Sequence, residues 1–98
     1  MRVVHVLPVW EPAWQYGGPI HSVGRLCDGL AASGVTVEVL TTTAGLPDWP
    51  PGRTGVPLTI RGVSVTYYPV DRHGPGPIRS RALLAALPQR LEIGRAHV

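Results

Sequence analysis

The chain has 98 residues, of which 44% are hydrophobic and 15% charged, and its formal net charge is +3. This length allows one small domain, and the composition is that of a globular protein rather than a disordered segment. All nine Lys/Arg positions hold arginine, and they are scattered along the chain without the cluster that tracks a nucleic-acid backbone. We therefore expect no nucleic-acid partner.

The number of cysteines and the length of the apolar runs restrict the cellular location that we expect for the protein. Cys27 is the only cysteine, so neither an internal disulfide nor a cysteine-based metal cluster can form. The N-terminal apolar run is interrupted by Pro8 and lacks a following small-residue cleavage site, so we expect no signal peptide. No run approaches the roughly 18 apolar residues that a membrane span needs. These features favour a cytoplasmic location.

The first 42 residues predict a strand, a loop, a helix and a second strand. Residues 3–7 form a short β-branched apolar run, which is typical of a strand buried on both faces. We expect the helix to begin with Gly18 as N-cap and Pro19 at the first helical position. Gly34 is the expected left-handed C-cap, and residues 35–42 form the second strand. This order predicts a parallel, right-handed βαβ unit.

The helix of this unit has an apolar face at helical spacing, which predicts that it packs on the sheet. The residues of this face are Ile20, Val23, Cys27, Leu30 and Ala31. Cys27 is therefore expected to be a core residue rather than a reactive thiol.

The second half of the chain is richer in glycine and proline. Arg61 and Gly62 separate two β-rich runs, so residues 58–68 are predicted to form a small hairpin or a bent strand. Residues 78–87 are predicted to be a helix that Pro88 kinks or ends. The expected fold class is α/β, with a partial Rossmann-like parallel sheet and a small hairpin insertion.

The last seven residues are expected to differ in origin from the rest of the chain. Residues 92–98 match the peptide obtained when a common short-read sequencing adapter is translated in one frame. We expect this tail to be non-native and the gene to be interrupted after Leu91, so that the natural protein continues. Residues 1–91 are then an incomplete N-terminal domain. The alternative is a native helical tail.

Gly17 and Gly18 lie at the connection from the first strand to the helix. Two residues without Cβ let a ligand approach the backbone, and the N–H groups at a helix start attract anions. The alternative is that the pair only makes a tight turn. A dinucleotide-binding fingerprint is disfavoured, because about nine residues separate the strand from the glycines.

The loop before the glycines is aromatic. Trp10, Trp14 and Tyr16 could stack on the apolar faces of sugar rings, or they could cover the sheet and hold the loop in place. His21, in the first helical turn, could donate a hydrogen bond to a phosphate or a hydroxyl; a surface or capping role is the alternative. His5 is expected to be a core residue.

A family resemblance follows from this order of features. The strand, the aromatic loop, the Gly17-Gly18 turn, the helix and the second strand resemble the N-terminus of retaining glycosyltransferases of family 4, which have two Rossmann-like domains in the GT-B arrangement. The resemblance extends over residues 1–91 and is most specific over residues 3–42. The chain contains no Walker loop, nucleophile elbow or paired-carboxylate spacing, so no catalytic residue is assigned.

The resemblance implies a substrate site and a reaction. Gly17 and Gly18 would lie at the cleft between the two domains, near the donor phosphates and the acceptor, with Tyr16 and His21 as neighbours. The reaction transfers a sugar from a nucleotide-sugar to a glycan, lipid-linked or small-molecule acceptor with retention, without a cofactor or bound metal. The family's Glu-rich donor motif belongs to a C-terminal domain, so this segment alone is expected to be inactive. Peripheral association with the inner face of the membrane stays open, because family members often use lipid-linked acceptors.

Two other functions stay open. One is a different enzyme on the same two-domain scaffold, such as a nucleotide-sugar epimerase, which the missing C-terminal half would distinguish. The other is a non-catalytic carbohydrate-binding module that uses Trp10, Trp14 and Tyr16. The glycosyltransferase is favoured because its match includes the loop length and the position of the turn.

Overall fold

The structure is a computed structural model that describes residues 2–73, 77–91 and 95–97. Within these ranges, the side chains of Tyr16, Pro19, Arg90, Leu91 and residues 95–97 lie outside the description. The described elements, in chain order, are β1 (Arg2–Val6), α1 (Gly18–Ala32), β2 (Thr36–Thr42), β3 (Pro57–Ile60), β4 (Val63–Tyr68), α2 (Arg81–Leu91) and β5 (Arg95–His97). Single-turn 3-10 helices span Trp14–Tyr16 and Pro51–Arg53. The α/β class is confirmed.

The strands form one mixed sheet in the order β3-β4-β2-β1-β5. β2 pairs in parallel with both β1 and β4, and β3 closes one edge by antiparallel pairing with β4. At the other edge, the three residues of β5 pair in parallel with β1. The predicted hairpin is present as β3 and β4, but it is part of the sheet rather than an insertion. β4 is the third parallel strand, and its side chains are buried almost continuously.

The β3–β4 connection is a tight hairpin rather than a bend within one strand. Ile60 pairs with Val63, so only Arg61 and Gly62 form the turn. Both have positive φ, 49° for Arg61 and 78° for Gly62, as a two-residue type I′ turn requires. Arginine is an unusual residue at such a φ, and its side chain makes contacts that the next section describes.

The βαβ unit predicted for the first 42 residues is present, with parallel β1 and β2 joined through α1. The predicted apolar face of α1 is confirmed: Ile20 and Cys27 are buried, and Val23, Leu30 and Ala31 pack against the core from partly buried positions. This face anchors the helix on the sheet.

Local signals define both ends of α1. The helix begins at Gly18 with Gly17 as N-cap, one residue earlier than predicted. At the other end Gly34 has a φ of 84°, as expected. The N–H of Val35 donates to the carbonyl of Leu30 at 3.1 Å, and that of Gly34 donates to the carbonyl of Ala31 at 3.1 Å. These two bonds form a Schellman motif, which stops the helix and starts the turn into β2.

α2 begins three residues later than predicted and continues past Pro88. Ser80 caps it: the Ser80 hydroxyl accepts the N–H of Leu83 at 3.2 Å and donates to the carbonyl of Pro69 at 2.7 Å. Pro88 removes one N–H that would have bonded to the carbonyl of Leu84, a residue with an exposed side chain. Water can hydrogen-bond to the Leu84 carbonyl instead, so the helix continues to Leu91.

Two apolar layers cover the two faces of the sheet. On one face, α1 and the loop after β1 cover a cluster that comprises Trp10, Cys27, Val37, Val39, Val63, Val65 and Tyr67. On the other face, α2 covers Val4, Val6, Leu40 and Tyr68 through Leu83. His5 is buried, as predicted. Neither described helix is both long and apolar enough to cross a membrane.

Candidate functional site

Gly17 is needed by the backbone turn that leads into α1. Its φ is 65° and its ψ is −116°, a conformation that L side chains rarely adopt. The N–H of Gly17 donates to the carbonyl of Trp14 at 2.9 Å, and its own carbonyl accepts the N–H of Ile20 at 3.2 Å. The turn interpretation of the glycine pair is therefore sufficient for Gly17.

The same explanation does not extend to Gly18. Its φ is not in the left-handed region, and a Cβ built on it would meet no heavy atom of any residue beyond its chain neighbours within 4 Å. The one local reason for glycine at the first residue of α1 is the proline that follows it, since a residue with a Cβ is disfavoured in the helical conformation directly before proline. A Cβ on Gly17 would also point into open space, so the backbone of both glycines is accessible from outside.

An aromatic pair lies beside the glycines. The rings of Trp14 and His21 stack with their centroids 5.2 Å apart and an interplanar angle of 20°. Trp14 is 43% exposed, and His21 is also exposed. Three of the four predicted site residues, Gly17, Gly18 and His21, thus lie together at the start of α1. The backbone of the fourth, Tyr16, ends the 3-10 turn directly before Gly17, and its side chain lies outside the described part of the chain.

Trp10 belongs to the core and cannot stack on a sugar in this conformation. Its side chain is 2% exposed and packs in the cluster that contains Cys27 and Tyr67. The indole N–H has no hydrogen-bond partner among the described residues. Trp10 therefore has the second of the two predicted roles: it holds the loop on the sheet.

Polar contacts fix the aromatic loop from both sides. The Arg61 guanidinium forms a two-pronged ion pair with the Glu11 carboxylate, with N–O distances of 2.6 and 2.9 Å, and also approaches Asp28 at 3.5 Å. The hydroxyl of Tyr67 donates to the backbone carbonyl of Glu11. Burial, with the negative charge of Glu11 adding to it, raises the pKa of Tyr67, so this hydroxyl remains a donor. The sequence offered no signal for contacts between such distant residues.

Threonine connects the carboxyl ends of β1 and β2. The Thr42 hydroxyl donates to the carbonyl of Pro8 at 2.7 Å and accepts the N–H of Ala44 at 3.1 Å. The side-chain amide of Gln15 donates to the carbonyl of Gly45 at 3.1 Å. These bonds hold the loops after β1 and β2 together at the edge of the sheet where the glycine turn lies.

A cleft of about 950 Å³ opens at the same edge, on the face of the sheet that α2 covers. Gly17, Gly18 and His21 are not among its described lining residues. Its wall consists of Val6, Leu7, Pro8, Thr42, Asp71, Arg72, Pro77, Ile78, Arg79, Ser80, Arg81, Leu83 and Leu84. Ile78 also packs against the cluster that contains Ile20 of α1, so this residue links the cleft to the helix start.

Three of the nine arginines come together at this cleft. Arg72, Arg79 and Arg81 line it together with the Asp71 carboxylate. Asp71 accepts the backbone N–H of Arg81 at 3.1 Å and lies 3.8 Å from its guanidinium. The sequence carried one signal for this grouping, three arginines within ten residues, which the description of the arginines as scattered did not use.

The described residues include no group of three or more His, Cys, Asp or Glu side chains that could hold a metal ion. Burial, followed by the neighbouring Asp28 carboxylate, raises the pKa of Cys27 to about 11, so the thiol stays protonated and inert at neutral pH.

Comparison of the chain with protein-family models, with curated proteins and with solved structures gives no match. The resemblance to family 4 glycosyltransferases therefore depends on the order and spacing of the sequence features alone.

Proposed function

We propose that this chain is the N-terminal, acceptor-side segment of a retaining GT-B glycosyltransferase and that it is inactive by itself. The strand order supports a Rossmann-like half domain. Along the sheet the parallel strands run β4-β2-β1, so the third in sequence lies outside the second and the first, as in one half of the doubly wound fold. In such sheets ligands bind beyond the carboxyl ends of the strands, where Gly17 and Gly18 lie.

The observation that carries the proposal is the accessible backbone of Gly17 and Gly18 at the start of α1, where a Cβ on either residue would extend into open space. The proline at position 19 gives a local reason for glycine at position 18, because a residue with a Cβ is disfavoured in the helical conformation directly before proline. A ligand that approaches the backbone of the first turn would add a second reason, because a methyl group would then occupy the ligand's place. We therefore assign Gly18 a role in access as well as in folding.

The neighbours of Gly18 suit a sugar. The half-exposed ring of Trp14 offers an apolar face for a pyranose, and His21 stacks on the same indole and carries a hydrogen-bond donor. The start of the 15-residue helix α1 favours a negative group by about 0.3–1 kcal/mol. A donor phosphate presented by a second domain would lie in this favourable field.

The proposal assigns binding and orientation to this chain and the rest of the reaction to another region of the protein. The donor nucleotide and the Glu-rich motif that holds it belong to the C-terminal domain that the family resemblance implies. Residues 1–91 would form one wall of the interdomain cleft. The three-residue strand Arg95–His97 pairs with β1 whatever the origin of the tail, so its presence does not bear on this proposal.

The test is the gene downstream of the codon for Leu91 and the protein it encodes. We expect a second Rossmann-like domain with a paired-Glu donor motif, and transfer of labelled sugar from a nucleotide-sugar. In that protein Gly18→Ala is expected to lower kcat/KM at least about tenfold, because a methyl group would displace the substrate. Gly29→Ala is the matched control, since Gly29 lies in the same helix with open space around it.

Three results would contradict the proposal. The first is a continuation without the donor motif, and the second is turnover of a nucleotide-sugar by the 98-residue chain alone. The third, full activity of Gly18→Ala, would remove the glycine turn from the site. A continuation with epimerase chemistry instead of sugar transfer would favour the other enzyme on the same scaffold.

The half-exposed Trp14 supports a second candidate, a carbohydrate-binding module without catalysis. Burial of Trp10 weakens it, because the predicted aromatic platform loses one of its three members. Calorimetric titration of the 98-residue chain with oligosaccharides would decide. Binding that Trp14→Ala abolishes favours the module, and no binding counts against it.

A further inference from the structure

The cleft at the carboxyl ends of β1 and β2 has an apolar floor and a cationic wall. Val6, Leu7 and Pro8 contribute apolar surface from the β1 end, while Leu83 contributes it from α2. The charged wall contains three guanidinium groups and one carboxylate. Its volume of about 950 Å³ is at the upper end of the range of small-molecule sites.

The polar backbone groups around the start of α2 are already used within the protein. Asp71 accepts the N–H of Arg81, and the Ser80 hydroxyl accepts the N–H of Leu83. The N–H of Leu84 donates to the carbonyl of Ser80 at 3.2 Å. A ligand in the cleft would therefore meet the arginine side chains rather than these backbone N–H groups.

Among the described residues of the lining, arginines outnumber carboxylates. The Asp71 carboxylate is engaged by Arg81, both through the backbone and through the guanidinium at 3.8 Å. Arg79 lies on the same wall with an exposed side chain, and its carbonyl accepts the N–H of Asp71 at 2.8 Å. The side chain of Arg79 is thus available to a ligand while its backbone holds the wall in shape.

We propose that this cleft binds a phosphate monoester of a small molecule, with Arg79 and Arg81 as the main ligands of the phosphate and Arg72 beside them. Guanidinium groups match the geometry of phosphate oxygens through paired N–H donors, and a negatively charged phosphate is favoured beside the exposed Arg79 and Arg81. The apolar floor would contact the body of the molecule. In the context of the proposed function, on which this part of the inference rests, the phosphate ester is the sugar acceptor.

The binding test uses the 98-residue chain and does not depend on catalysis. Glucose 6-phosphate, titrated while amide resonances are followed by NMR, is expected to give saturable shifts around Asp71, Ser80 and Leu83. Arg79→Gln is expected to raise the dissociation constant at least about tenfold, because it removes a charged donor. Arg25→Gln is the matched control, since Arg25 is an exposed arginine of α1 outside the cleft lining.

Several outcomes would overturn the inference. Equal shifts with glucose would show that the phosphate is not recognised, and equal weakening in Arg25→Gln would show that only net charge matters. Binding to phosphatidylglycerol vesicles without binding to glucose 6-phosphate would place the phosphate in a lipid headgroup and overturn the small-molecule assignment. An unchanged dissociation constant in Arg79→Gln would remove the cleft from the interaction.

The two proposals can fail separately. If the chain binds glucose 6-phosphate in the cleft but the complete protein transfers no sugar, the phosphate site stands and the glycosyltransferase proposal fails. If the complete protein transfers sugar and Arg79→Gln has no effect on phosphate binding, the reverse holds.

Discussion

Two loops leave the same edge of the sheet, and they use their polar side chains in opposite ways. In the loop after β1, Glu11 pairs with Arg61, and Trp10 is buried beneath the backbone. In the loop after β4, arginine side chains line an open cleft, and backbone bonds such as that from Asp71 to Arg79 hold the shape. The first loop is stabilised by its side chains, whereas the second is held largely by backbone bonds that leave the exposed Arg79 side chain facing the cleft.

The comparison also divides the first loop internally. Trp10 and Trp14 are four residues apart, yet one is 2% and the other 43% exposed. A tryptophan can therefore stack on a sugar only where the fold leaves a face of its ring exposed. The predictions below test this division, beginning with the largest expected effect.

The two tryptophans should differ strongly in their contribution to stability. Trp10→Ala is expected to lower the free energy of unfolding by about 3–5 kcal/mol, because it leaves a large cavity in the core. Trp14→Ala should change it by less than about 1 kcal/mol, since much of that side chain is already exposed. Urea unfolding monitored by circular dichroism measures both. Similar losses in the two variants would contradict the division of the loop.

The two glycines should also differ, although they are adjacent. Gly17→Ala is expected to cost about 1–3 kcal/mol, because alanine would be forced into a positive φ of 65°. Gly18→Ala should cost less than Gly17→Ala, under about 1 kcal/mol, because no positive φ is required there and the helix preference of alanine offsets the crowding of its Cβ before Pro19. Thermal unfolding distinguishes them. A large loss in Gly18→Ala would show that glycine is needed there for folding and not for access.

The core beneath the first loop should respond to alkaline pH through Cys27. The folded chain holds the thiol proton to about pH 11, whereas a thiol with the ordinary pKa of 9.0 loses it earlier. The native state therefore binds more protons over this interval. The contribution of this thiol to the free energy of unfolding is fully present below pH 9. It is lost as pH rises towards 11, by up to about 1.4 kcal/mol per pH unit.

Unfolding in urea at pH 8, 9 and 10 measures this slope, and Cys27→Ala is the control. The variant should be less stable at pH 8 but should show a flatter dependence between pH 9 and 10. The raised pKa of Tyr67 adds a similar loss only above its ordinary value of 10.0, so the comparison stops there. Identical slopes in the two proteins would indicate that the thiol is not sealed from water.

Features of the fold and the site could be predicted when residues close together in the sequence determine them, and could not when distant residues do. The limits of α1 followed from Gly34 and Pro19, and β2 followed from its alternating valines, because these signals act within one or two turns of chain. The start of α2 was missed because Ser80 caps the helix only when its hydroxyl also reaches Pro69 in the preceding loop. The apolar residue Ile78 looked helical but packs against the cluster at the start of α1 instead.

Sequence alone determined that this is an α/β protein with a βαβ unit and a glycine turn at the start of its helix, because periodicity, caps and turns are local properties of the chain. Tertiary structure decided the rest. It placed β4 inside the sheet, joined Glu11 to Arg61 across 50 positions, buried Trp10 while leaving Trp14 exposed, and set Arg72, Arg79 and Arg81 against the end of β1 to form one cleft. Each of these depends on which distant segments share the sheet edge, and no pattern within a single segment specifies that.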